Sequence, residues 1–241
     1  MSNLVHPHGR LIRRQKLATR VTHWIWAVCL FFLLLSGFQI FNAHPILYLG
    51  DQSGFSFDNA IIKIDGFPSW ATIPSTRDLG TGRVVHFFFA WIFVLNLLAF
   101  FVLSWRNRHL RKDLLPNAKD ARNFAQDVRD HLKLRLVHGV RYSTLQKLAY
   151  GGVLFVLFPL IIATGLSMSP GMNAVLPWLP ELFGGRQTAR TLHFVVMVLL
   201  TVFFAVHMAM ILLAGPVNEL RSIITGSYRI TPRQGKSLSD G

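Results

Sequence analysis

Apolar residues in this chain gather in long runs rather than alternating with polar ones. The runs cover residues 24–41, 84–103, 148–167 and 192–213. Each is close to the roughly 20 residues of helix needed to cross a bilayer. The pattern predicts an all-α, integral-membrane four-helix bundle that forms one domain over residues 1–241. The loops between the runs are then 42–83, 104–147 and 168–191. The first run has the basic flank and apolar core of a secretory signal, yet it is long and lacks a small-x-small cleavage site, so it reads as a retained helix. Within 116–135 and just beyond it, Phe124, Val128, Leu132 and Leu136 recur every four residues. That spacing predicts a surface helix lying on the membrane with its basic side toward anionic lipid. The tail after Ile230 is polar and reads as frayed. No internal repeat is apparent.

Charge turns this pattern into a topology. The net charge is +14, which could suggest nucleic acid. Its distribution argues against that. Taken in order, the five segments outside the runs carry +5, −1, +7, +1 and +2. The excess alternates from one side to the other, as the positive-inside rule requires. Both termini and the 104–147 loop are therefore predicted to be cytoplasmic. Loops 42–83 and 168–191 are predicted to face the periplasm across a bacterial inner membrane. No basic patch on a soluble fold is available to a nucleic acid. Cys29 is the only cysteine, which excludes an intrachain disulfide and a C-x-x-C-H haem attachment.

Four histidines interrupt the apolar runs or open them: His23, His86, His193 and His207. His193 and His207 are fourteen residues apart, about 21 Å along a helix and only about 40° apart around it. They share a face at opposite ends of one span, too far apart for a single ion. The topology puts His23 level with His207 on the cytoplasmic side, and His86 level with His193 on the periplasmic side. Each pair joins two different helices. That is the arrangement for bis-imidazole ligation of two b-type haems, one above the other, in a helical bundle. Two isolated two-histidine ion sites would lack further ligands.

Two weaker patterns share this register. Arg20, Arg83 and Arg190 each lie three residues before one of these histidines, on the same helix face and nearer the surface. They are candidates to pair with haem propionates. Gly37 follows His23 by fourteen residues, and Gly151 and Gly165 are fourteen apart. These glycines are candidates to let a flat macrocycle approach the backbone. Small-residue helix packing would account for them equally well.

The segments RVTHWIWAVCLFFLLLSG, GRVVHFFFAWIF, YSTLQKLAYGGVLFVLFPLIIATGLSMSP and RTLHFVVMVLLTVFFAVH resemble the prokaryotic cytochrome b561 family. Within it they look most like the cytochrome b subunits of hydrogenase, formate dehydrogenase and thiosulfate reductase, the last above all. The resemblance covers roughly residues 15–225. It implies a four-helix core with two b haems on His23, His86, His193 and His207. It also implies a quinone site near the cytoplasmic haem and a periplasmic catalytic partner. Gln146 and Tyr150 sit at the right depth to be quinone-site candidates.

The reading that follows is a membrane di-haem subunit carrying electrons between the quinone pool and a periplasmic molybdenum- or hydrogenase-type partner. Quinone oxidation or reduction would be its own activity, with no catalytic side chain. The 42–83 loop, long for a mere connection, is expected to pack over the periplasmic haem and to help dock the partner. One rival is a stand-alone quinone oxidoreductase acting on a small diffusible species such as superoxide. Another is a haem-free transporter or structural anchor that uses its histidines for protons or packing.

Overall fold

A computed structural model describes residues 10–54, 59–106 and 144–230. Among these residues, four helices are long and apolar enough to cross a membrane. They are α1 (Leu17–Phe41), α2 (Leu79–Arg106), a third helix in two pieces, and α7 (Arg186–Ala214). The third comprises α3 (Thr144–Gly152), a π-helical turn (Val153–Leu157) and α4 (Phe158–Met168). Each begins several residues before the apolar run that predicts it. Hydropathy marks the lipid-immersed core, whereas backbone hydrogen bonding continues into the polar flank. The expected surface helix at 116–135 and the tail after Ile230 lie outside the described residues.

Local chemistry sets the helix ends. Asp78 caps α2, accepting from the Thr81 backbone N–H at 3.0 Å and its hydroxyl at 2.5 Å. These bonds hold the Asp78 carboxyl below its ordinary value. Gly184 and Gly185, both at positive φ, form the turn into α7, a conformation that glycine adopts without steric cost. Pro159 has no N–H to give and crowds the carbonyl four residues earlier. The π turn lies immediately before it, where the helix must widen.

The chain divides into two compact units. The first holds residues 10–24, 100–106, 144–151 and 204–230 of the described chain. In it, β1 (Arg10–Arg13) pairs antiparallel with β4 (Ser227–Ile230), Arg10 opposite Ile230 and Arg13 opposite Ser227. Helix α8 (Pro216–Thr225) leads into β4. Arg14 clasps this end through an ion pair with Glu219 at 3.2 Å and by lying 4.6 Å over the Tyr228 ring. The chain before α1 and the chain after α7 are thus strands of one sheet. Apolarity patterns did not signal this clasp, because a four-residue strand has too few positions to show a period.

The second unit holds residues 25–99 and 152–203. Its connecting segment carries β2 (Ile46–Tyr48) paired with β3 (Ala60–Lys63), followed by a short 3-10 turn. Ile46, Leu47 and Tyr48 are all buried. Two short helices, α5 (Pro170–Val175) and α6 (Trp178–Leu182), link α4 to α7. The two small sheets are departures from the all-α expectation. Along α2 and α7, Phe88, Trp91, Leu95, Val198 and Val202 are exposed. An apolar exterior on helices whose backbone bonds are internally satisfied suits a lipid surround.

Candidate functional site

In the second unit, the rings of His86 on α2 and His193 on α7 face each other with centroids 6.4 Å apart and planes at 59°. Each ring is held by a hydroxyl from a neighbouring helix. Ser36 Oγ on α1 lies 3.0 Å from His86 Nδ1. Thr164 Oγ1 on α4 lies 3.0 Å from His193 Nδ1. Both hydroxyls are fully buried. Each donates its proton to the carbonyl one turn back: Ser36 to Phe32 at 2.6 Å and Thr164 to Leu160 at 2.7 Å. A hydroxyl has one proton to give. With that proton committed, the oxygen is available to accept from the imidazole, an arrangement that places the ring proton on Nδ1. Nε2 is left with its lone pair.

The residue after each hydroxyl is a glycine. A methyl group built on Gly37 would lie 3.5 Å from His86 Cε1, and one on Gly165 would lie 3.3 Å from His193 Cε1. A larger side chain at either place would press on the imidazole. At Gly151, in the first unit, such a methyl would meet nothing within 4 Å outside its own helix backbone among the described residues.

In the first unit, His23 on α1 and His207 on α7 stand 6.3 Å apart at 53°. Trp24 meets the His23 ring edge-on at 5.7 Å, and Tyr150 meets the His207 ring at 6.4 Å and 77°. His23 Nδ1 is buried with no hydrogen-bond partner among the described residues. A buried polar atom of that kind calls for a partner of another sort.

Both separations fit one chemistry. An iron midway between two imidazoles, with bonds of about 2 Å and ring centres about 1 Å beyond each nitrogen, separates the centroids by roughly 6 Å. Among the described residues, no three His, Cys, Asp or Glu side chains gather as an ion site. Each pair offers two ligands only. A haem iron, with four equatorial nitrogens of its own, needs just those two.

The arginines are engaged differently. Arg190 donates to the carbonyls of His44 and Ile46, the latter at 2.8 Å, and lies 5.5 Å over the Phe41 ring. Thr191 bonds the Tyr48 carbonyl at 2.7 Å, and Thr188 accepts from the Gly50 N–H at 2.7 Å. These bonds strap the segment around β2 onto the start of α7. Partial burial and the nearby Arg190 guanidinium hold the His44 imidazole below its ordinary value. Arg20 donates to the Ile224 carbonyl. Arg83 is exposed, 5.8 Å over the Phe87 ring. Gln146 lies half-buried on α3, one turn before Tyr150. Ser36 and Thr164 were missed by sequence reasoning. Their signal was a hydroxyl residue preceding each of two glycines already singled out.

Four apolar helices long enough to cross a membrane, two of them joined by each histidine pair, define the class: a helical membrane protein. The family model for prokaryotic cytochrome b561 matches residues 14–226, and the chain belongs to that family. It is similar to a protein of Azospira oryzae named as protein-methionine-sulfoxide reductase subunit YedZ1. The two are 30% identical over 196 residues, which span 80% of this chain and 87% of the relative. The chain is a membrane haem b electron-transfer subunit.

Proposed function

We propose that the chain binds two b haems and links the quinone pool to an exported reductase. His23 and His207 would hold one haem, and His86 and His193 the other. The observation that carries this reading is the facing of two imidazoles about 6 Å apart in each pair. When bound, each haem supplies reversible one-electron transfer. With both histidines of a pair holding it, the group would be left to outer-sphere electron transfer rather than oxygen activation.

The protein's own residues do the rest. Ser36 and Thr164 orient two of the four ligand rings. Tyr150, edge-on to His207, and Gln146 one turn away are the quinone-site candidates. Quinol gives up two protons and two electrons there, and the electrons leave singly. Charge alternation supports cytoplasmic termini, an inner-membrane location, and a periplasmic face at 42–83 and 168–191. The β1–β4 clasp supports one side for both ends of the four-span chain. The segment around β2 is the candidate partner-docking strap. The YedZ1 relative is named as a reductase subunit, which favours outward flow from quinol to a reductase catalytic subunit. Arg20, Arg83 and Arg190 remain the propionate candidates, with Arg83 the most exposed of the three.

The test uses the purified chain in liposomes, without air. A short-chain quinol should reduce its haem bands, and Gln146→Leu or Tyr150→Phe should slow that step. Haems that ignore quinol would contradict the quinone link. Haems that quinol reduces and superoxide turns over without a partner would favour the stand-alone oxidoreductase.

A further inference from the structure

The pair His86–His193 is built with an internal symmetry that the pair His23–His207 does not share. On α1, Ser36-Gly37 meets His86, hydroxyl to Nδ1 and glycine to Cε1. On α4, Thr164-Gly165 meets His193 in the same way. Two unrelated helices thus present the same two-residue device to opposite rings of one site. Each hydroxyl donates to its own helix at 2.6 or 2.7 Å, which leaves its oxygen to accept from the ring. The His23 Nδ1, by contrast, is buried with no hydrogen-bond partner among the described residues.

A ring that donates from Nδ1 to a fixed acceptor is held in one tautomer and one rotation, and its other nitrogen becomes a stronger donor to a metal. Stronger axial donation stabilises the ferric state over the ferrous one. We infer that Ser36 and Thr164 are positioning residues that fix the His86 and His193 tautomers and set the potential of the haem between them toward lower values. This rests on the di-haem reading above. The adjacent glycines let the hydroxyl-bearing turn come close enough for both contacts.

The test compares wild-type protein with Ser36→Ala, Thr164→Val and the hydroxyl-keeping changes Ser36→Thr and Thr164→Ser. Thr164→Val keeps the volume and branching and removes the hydroxyl, leaving the backbone carbonyls in place. Spectroelectrochemical titration reads the two haem midpoints, and low-temperature electron paramagnetic resonance reads the ferric low-spin signals, which follow ring orientation. The acceptor-free variants should move one haem midpoint to a more positive value and shift its ferric signal, leaving the other haem in place. The hydroxyl-keeping variants should sit near wild type. Loss of that one haem from Ser36→Ala, restored in Ser36→Thr, would have the same meaning. Two bound haems with unmoved midpoints and signals would overturn the inference, as would a haem loss that Ser36→Thr does not restore. Wild-type protein without haem would overturn the di-haem reading and this inference together.

Discussion

The two histidine pairs have nearly equal separations, 6.4 and 6.3 Å, and unlike surroundings. Around His86 and His193, the Nδ1 atoms meet hydroxyls that are themselves committed to backbone carbonyls. Around His23 and His207, the flanking groups are aromatic edges from Trp24 and Tyr150. Ring spacing is common to both and matches what an iron between two imidazoles would need. Ring orientation is enforced by hydroxyls at one pair and bordered by aromatic groups at the other. Equal spacing with unequal support teaches that ring separation and ring orientation are set by different residues.

The largest effects should come from the ligands. His86→Ala or His193→Ala should halve the haem per chain and spare the other haem. His23→Ala or His207→Ala should do the converse. Pyridine haemochrome quantification and the midpoint of the surviving haem distinguish the cases. Loss of both haems from every variant would mean that the two sites are not independent.

Glycine substitutions sharpen the contrast. Gly165→Leu should cost the His86–His193 haem, because the new side chain strikes the His193 ring. A Cβ at Gly151 meets no side chain within 4 Å among the described residues, yet Gly151→Leu should lower occupancy of the other haem if a macrocycle lies against that turn. Normal haem content in Gly151→Leu would assign the space to packing alone.

Arg190→Ala should leave both haems in place and loosen the strap around β2. Its hydrogen bonds to two carbonyls suggest a loss of about 2 kcal/mol. Thermal unfolding in detergent and faster hydrogen exchange at residues 44–50 would show it.

The smallest effect is a pH dependence at the same strap. The His44 value is lowered in the folded chain, so the unfolded segment binds the proton first and stability rises with pH. The strap should be at full strength above about pH 6.5 and weaken as the pH falls through the lowered value. Hydrogen exchange at 44–50, corrected for intrinsic rates, should rise on acidification in wild type and not in His44→Gln.

The spans and histidines were legible in the sequence because hydropathy runs and helical register are local. His193 and His207 lie on one helix, so fourteen residues at a known pitch set their separation along it. The partners of the arginines were not legible. Arg190 sits three residues before His193, as a propionate ligand would, but the carbonyls of His44 and Ile46 reach it from nearly 150 positions away in the chain. The β1–β4 clasp joins residues more than 200 apart, and no periodicity reports such a contact. Ser36 and Thr164 lay in plain view beside Gly37 and Gly165. Hydroxyls within membrane helices usually bond their own backbone, which concealed their second role.

The most direct measurement is the dithionite-reduced minus oxidised spectrum of the detergent-purified chain, with haem counted per polypeptide by pyridine haemochrome. Two b haems per chain are expected. A haem-free chain from haem-replete cells would contradict the account and return the histidines to packing or proton transfer. One haem per chain would mean that one of the two pairs does not bind it, and His86→Ala compared with His23→Ala would show which.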